Sequence, residues 1–243
     1  GYDVAITYST QKEDAEEVAN VIENKYGRQC IVFQASLEKE EVPSQIVEQS
    51  IKTLGHIDVL VNNAGLTRIQ YIDRLELEML NLLINLNYKS YILAIRAVSQ
   101  HMIENNIKGS IVNITSSRGQ RAYPGDAIYG GLKAAIARGT QSMALDLAPY
   151  GIRVNCVAPG ATAVRFSDAS HKWYDDLGPR IPLGRVGMPS DVANAVVWLA
   201  SDKASYITGE TIRVDGGLIL PGMPESRNDD TDQGWGYVWK RRD

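Results

Sequence analysis

The sequence predicts an α/β protein of three layers, a doubly wound parallel sheet with helices on both of its faces. Three observations carry that expectation. Short apolar runs alternate with longer amphipathic stretches nearly from end to end, the signature of βαβ units. Two of the runs, residues 57–61 (IDVLV) and 110–114 (SIVNI), are apolar almost throughout, as in strands covered on both sides. The 243 residues are 44% hydrophobic and 22% charged, a globular composition of ample length for one domain of this class.

The elements follow in order. Residues 4–8 (VAITY) read as a strand and 12–26 as a helix, with Ala15, Val18, Ala19 and Ile22 recurring on one face. Residues 30–35 (CIVFQA) form the next strand and 42–54 the next helix. After the strand at 57–61, one long helical region spans about 75–105, ahead of the strand at 110–114. A helix over 128–147, a strand over 153–157 (RVNCV), a helix over 191–201 and a strand over 211–214 complete the pattern. Strands joined through helices imply right-handed crossovers and parallel pairing. No linker or repeat divides residues 1–220, which read as a single domain. Residues 221–243 form a C-terminal tail with Pro221, Pro224 and a polar run over 225–232, a composition for extended chain. Its Trp235, Tyr237 and Trp239 are costly to leave in water and are expected to dock on a neighbouring surface.

Charge and composition exclude several roles. With 25 basic against 29 acidic side chains the net charge is −4, and no basic cluster offers a nucleic-acid surface. No apolar run reaches the roughly 18 residues of a membrane span. Cys30 and Cys156 are too few for a disulfide framework, and no leader pattern opens the chain, so a soluble cytoplasmic protein is expected. His56, His101 and His171 are dispersed without ligand spacing, so no metal site is expected.

The chemistry concentrates at strand ends. Tyr129 and Lys133 (YGGLK) are four residues apart near the start of a helix, so phenol and ammonium share a face. A neighbouring ammonium favours phenolate and makes a tyrosine a usable acid/base nearer neutrality. Ser116 lies at the carboxyl end of 110–114, where ligands bind in an open α/β sheet. Asn62-Asn63-Ala64-Gly65 follows 57–61 at the equivalent edge, and Asn155 to Gly160 (NCVAPG) ends a third strand in a tight turn. Asp58 reads as structural. Arg118 and Arg121 read as solvated loop cations or as contacts for an anionic substrate. The aromatic and charged region 161–180, with Phe166, His171, Trp173 and Tyr174, suggests a mobile lid over a polar or mixed pocket.

At this point the chain resembles the short-chain dehydrogenase/reductase family, in its single-domain branch. IDVLVNNAG (57–65), INLNYKS (84–90), SIVNITSS (110–117), YGGLK (129–133), RVNCVAPG (153–160) and the stretch 181–217 recur in the family's order, covering essentially the whole chain to Gly217. The resemblance implies a Rossmann-like fold and NAD(P)-dependent interconversion of a secondary alcohol and a carbonyl on a sugar, polyol or small ketone. It casts Tyr129 as acid/base, Lys133 as holding the nicotinamide ribose, Ser116 as orienting the substrate oxygen, and Asn87 as supporting a water relay to Lys133. Asn63, Ala64 and Gly65 would line the adenosine ribose side, and Pro159, Gly160 and Thr162 the nicotinamide end. Ser36 and Leu37 would meet the adenine. The resemblance also implies a homotetramer packed through the helices of 75–105 and 128–147.

Three departures matter. The family's first strand and glycine-rich phosphate turn do not precede Gly1, which falls where the family's second strand begins. The expectation is that about 25–35 further N-terminal residues, a strand and a helix, belong to the working protein. The missing strand would lie between 4–8 and 57–61. Where NAD-dependent members carry an Asp, this chain has Tyr8, followed by Ser9, Thr10 and Lys12, which favours NADP over NAD. The alternative for Ser9 and Thr10 is helix capping. Ser36 likewise stands where the family often has an Asp. The stretch 181–217 is most similar to the glucose 1-dehydrogenase and 3-oxoacyl-carrier-protein reductase branches. A non-catalytic scaffold with this fold is the alternative if the glycine-rich loop is truly absent.

Overall fold

A computed structural model describes residues 1–164 and 168–220, with backbone alone over 168–171. Its strands are β1 (Val4–Tyr8), β2 (Cys30–Gln34), β3 (Val59–Asn62), β4 (Ser110–Ile114), β5 (Arg153–Pro159) and β6 (Thr211–Val214). The helices are α1 (Lys12–Tyr26), α2 (Val42–Leu54), α3 (Leu77–Ile84), α4 (Ser90–Glu104), α5 (Ala127–Leu147), α6 (Asp168–Leu177) and α7 (Pro189–Ala200). Every ladder is parallel. β3, β4, β5 and β6 lie side by side in that order, while β1 pairs with β2 in a separate two-stranded sheet. Among the described residues no ladder joins β1 to β3.

Successive side chains on a strand point to opposite faces, and the core shows both. Ile111 of β4 and Val154 of β5 pack with Ala94, Ile95 and Val98 of α4 and Ala144 of α5. Val112 and Val157, displaced by an odd number of positions, pack instead against Leu199 of α7. Helices therefore cover both faces, the three layers expected of continuous apolar strands. Val47 and Ile51 of α2 join the first cluster, so the two-stranded unit is tied to the larger sheet through α2 lying on α4.

One expectation and one alternative need correction. The helical region expected over 75–105 is not continuous: a π-helical turn, Asn85–Lys89, separates α3 from α4. One extra residue per turn leaves no trace in an apolar periodicity of three and four, which is why the pattern read straight through it. Ser9 and Thr10 do not cap α1. The residue at the cap is Gln11, and no side chain there bonds the helix N-terminus. The smaller shifts are at strand ends, β5 running on to Pro159 and β3 beginning at Val59. No described helix is long and apolar enough to cross a membrane. The tail 221–243 with its aromatics, Phe166 and the side chain of His171 lie outside the described residues.

Candidate active site

Because β3, β4, β5 and β6 are mutually parallel, their carboxyl ends open on one edge, and the loops leaving that edge carry the predicted Asn63 to Gly65, Ser116 and Pro159 to Thr162. α5 begins near the end of β4 and delivers Tyr129 and Lys133 one turn apart. Lys133 is 2% exposed, buried by α4 on one side and β4 on the other. Its ammonium donates to the Ile114 carbonyl at 2.9 Å and to the Tyr91 hydroxyl at 3.3 Å, and stands 5.7 Å from the centre of the Tyr129 ring. Burial disfavours the charge and lowers Lys133 to about 8, with Cys156 a smaller opposing influence. Burial likewise pushes Tyr91 and Cys156 up.

The π-helical turn sets Asn87, which is fully buried. Its Oδ1 accepts the Leu66 N–H at 3.1 Å, and its Nδ2 donates to the Leu66 and Leu83 carbonyls at 3.0 and 3.2 Å. The loop after β3 is thereby held against the helix. Glycine is required there: a Cβ on Gly65 would stand 2.8 Å from Asn87 Oδ1 and 3.5 Å from Lys133 Nζ. Asn63 is exposed beside it and Ala64 half-buried.

Ser116 opens a short 3₁₀ turn, Ser117–Gly119, and its Oγ accepts the Arg118 N–H at 3.2 Å. That bond occupies an acceptor lone pair and leaves the hydroxyl proton to donate elsewhere. The turn is pressed onto α5 so closely that a Cβ on Gly130 would lie 2.8 Å from the Arg118 carbonyl. Arg118 is not a free loop cation. Its Nη1 is 3.1 Å from the buried Asp126 carboxylate and its guanidinium lies 4.7 Å from the Tyr123 ring centre. Arg121 also lies over Tyr123, at 5.9 Å. These residues border a hollow of about 310 Å³ on the Gly130 side of α5, which neither Ser116, Tyr129 nor Lys133 lines.

At the end of β5, Thr162 Oγ1 donates to the Gly160 carbonyl at 3.3 Å, and Thr162 bridges Gly187. Pro159 closes the strand beside Val214. The other candidates belong to the two-stranded sheet. Ser9 and Thr10 are exposed after β1, where Gln34 Nε2 donates to the Ser9 carbonyl at 3.2 Å, and Ser36 and Leu37 are half-buried just beyond β2. Lys12 is shared with Glu16 at 3.2 Å. Asp58 pairs with His56 at 3.1 Å on the surface, in keeping with a structural part.

Sequence reasoning missed a buried polar chain beneath the site. Asn62 donates to Asn113 at 2.9 Å, Asn113 to Thr140 at 3.0 Å, and Cys156 lies 3.1 Å from the same threonine. Asn62 and Asn113 are register partners on β3 and β4. The available signal was an asparagine inside the otherwise apolar run SIVNI, since a buried amide demands partners. Among the described residues no three His, Cys, Asp or Glu side chains cluster to hold a metal ion.

The residues fit a nicotinamide cofactor at its ribose end: a buried ammonium with one N–H uncommitted faces a loop that Gly65 keeps free of side chain. Comparison with known proteins places the chain in a family. A family model described as enoyl-(acyl carrier protein) reductase matches residues 1–219. The chain is 38% identical over 221 residues to a 3-oxoacyl-[acyl-carrier-protein] reductase of Staphylococcus epidermidis, covering 90% of each. Among solved structures it is similar to an acetoin dehydrogenase from Salmonella typhimurium, with a TM-score of 0.83, 32% identity, and 90% and 88% of the two chains covered. A blue fluorescent protein from a metagenomic library, solved with NADPH, is similar to the same degree, again at TM-score 0.83, 32% identity and 90% and 88% coverage. Matched by the family model over residues 1–219 and by relatives over nine-tenths of its length, the chain is an NAD(P)-dependent oxidoreductase and belongs to the short-chain dehydrogenase/reductase family.

Proposed function

We propose that this protein reduces a small ketone to a secondary alcohol, and catalyses the reverse oxidation, with NADP as the cofactor. The observation that carries the reading is Lys133: a buried ammonium one helical turn from Tyr129 and tied to the carbonyl of Ile114, the last residue of β4, two residues before Ser116 in the chain. A buried cation without an ion-pair partner is expensive, and a reaction that uses it accounts for its retention. Asn63, Ala64 and Gly65 would hold the cofactor from the end of β3, and Pro159, Gly160 and Thr162 from the end of β5. Ser36 and Leu37 would meet the adenine, with Ser9 and Thr10 receiving the 2′-phosphate. Their hydroxyls are exposed and uncommitted to α1, and no carboxylate stands at Tyr8, which supports NADP over NAD.

The bound cofactor supplies the hydride. Tyr129 gives its phenolic proton to the carbonyl oxygen, and Ser116 donates a hydrogen bond to that same oxygen with the proton its Arg118 contact leaves free. Lys133 offers its third N–H to the ribose and stabilises the phenolate left on Tyr129. Asn87 keeps the Gly65–Leu66 backbone beside the ammonium, and the second lone pair of its Oδ1 is where a relay water would attach.

The named relatives act on a 3-oxoacyl group and on acetoin, both ketones with a second oxygen nearby, and we take that chemistry as the substrate class. A 3-oxoacyl-carrier-protein substrate is the second reading. The test follows NADPH and NADH oxidation with diacetyl, acetoacetyl-CoA and a sugar series, for the full chain and for Tyr129→Phe. Turnover with a small diketone that falls about 10³-fold in the variant, without loss of fold, supports the reading. Activity on acetoacetyl-CoA alone favours the second, and equal rates for both proteins refute the role of Tyr129. We further propose a cytoplasmic homotetramer, which a monomer in sedimentation overturns.

A further inference from the structure

We infer that Tyr91 is a positioning residue for Lys133: its buried hydroxyl, resting on the Ile114 carbonyl, receives the lysine ammonium and fixes the direction of the one N–H left for ligand. The inference rests on the reading that Lys133 serves the reaction. Tyr91 stands at the start of α4, just after the π-helical turn that holds Asn87. It is 1% exposed. Three contacts close a triangle around its oxygen. Lys133 Nζ lies 3.3 Å from the Tyr91 hydroxyl and 2.9 Å from the Ile114 carbonyl, and the hydroxyl donates to that carbonyl at 3.3 Å. The ammonium is also 4.9 Å from the Tyr91 ring centre, within cation–π range.

An ammonium has three N–H donors on a freely rotating head. Two acceptors fix it, and the third proton then has a single direction. With the Ile114 carbonyl alone, the head could spin. A leucine or phenylalanine at position 91 would fill the same core volume without supplying that second acceptor. Around Lys133 the titratable groups are Tyr91 from α4, Tyr129 from α5 and Cys156 from β5, and no described carboxylate forms an ion pair with it. Burial raises the Tyr91 phenol and lowers the lysine to about 8, so below that pH the ammonium keeps its proton and Tyr91 stays a neutral phenol whose oxygen accepts. Removing that acceptor takes away a bond made to the charged form, and the lysine titration moves further down.

The test replaces Tyr91 by Phe, which keeps the ring and the cation–π contact and deletes only the hydroxyl. The full chain, labelled at lysine ¹³Cε, is titrated by NMR without cofactor, and the Lys133 signal is assigned by its loss in Lys133→Met. We expect Tyr91→Phe to lower the Lys133 titration by about one pH unit, the size of a charge-assisted hydrogen bond. kcat for diacetyl reduction with NADPH should fall roughly tenfold, with KM for the ketone little changed. An unchanged Lys133 titration overturns the proposal and leaves Tyr91 a space-filling core residue. Should Tyr91→Phe fail to fold, 3-fluorotyrosine at position 91 weakens the acceptor at nearly constant volume, with the same downward shift expected and the same null shift overturning it. Loss of activity in Lys133→Met but not in Tyr91→Phe refutes this inference alone. Full activity in Lys133→Met refutes the functional reading beneath it.

Discussion

Replacing Lys133 by methionine should stabilise the fold while abolishing turnover. The two side chains have similar length and volume, so the exchange removes a charge and leaves little void. Burial holds the lysine at about 8 instead of 10.5. At about 1.4 kcal/mol per unit, the buried ammonium costs the folded state roughly 3 kcal/mol near neutral pH. The hydrogen bonds lost are partly covered, because Tyr91 still donates to the Ile114 carbonyl, and a net gain on the order of 2 kcal/mol remains. The sign with pH is definite. Below about 8 both folded and unfolded chains carry the proton and the burial cost is fully felt. Between 8 and 10.5 the unfolded chain binds more protons than the folded one, so wild-type stability rises by roughly 3 kcal/mol and the variant's advantage of about 2 kcal/mol is lost and turns into a small deficit. Urea unfolding of both proteins across that range, read as their difference, cancels every group they share. A variant less stable than wild type near neutrality, or a difference flat with pH, would refute the reasoning.

Two further substitutions probe the supports of the site. Thr140→Val leaves the Asn113 amide and the Cys156 thiol without their common partner, and should cost about 1–3 kcal/mol in denaturant unfolding; an unchanged midpoint would mean the buried chain is readily re-satisfied. Gly65→Ala drives a methyl to 2.8 Å from Asn87 Oδ1, and should destabilise by roughly 1–3 kcal/mol and weaken NADPH binding in a fluorescence titration, which wild-type affinity would contradict.

How much of this the sequence disclosed depends on the kind of signal each residue leaves. Tyr129 and Lys133 were legible because a helix converts a spacing of four into a shared face, and the structure brings the ammonium within 5.7 Å of the ring. The strands were legible because covered strands are apolar on both faces, as Ile111 and Val112 are. Tyr91 was not, since a tyrosine among Ile92, Leu93 and Ala94 reads as core, and only the tertiary approach of α4 to β4 reveals what its hydroxyl meets. Arg118 was misread for the same reason: its partner Asp126 is near in sequence, but the loop path that buries their pair has no periodic signature. The Asn113 amide did leave a signal, a polar residue in an apolar run, whose meaning needed the register with Asn62.

The π-helical turn at Asn85–Lys89 has a consequence for how insertions and deletions act on this protein. An α-helix advances each residue by about 100° around its axis, so the widened turn absorbs one residue that a regular helix would have no place for. Deleting a single residue such as Tyr88 would let α3 run into α4 as one regular helix. The cost would not be a lost contact at position 88. The flanking helices would keep their alignment, since the widened turn had taken up the extra residue, but the residues inside the turn would be reset, carrying Asn87 away from Leu66 while Tyr91 stayed on Lys133. The placement of Asn87 is thus stored in the length of that one turn, and a change that leaves every named side chain in the sequence would still take its contact apart.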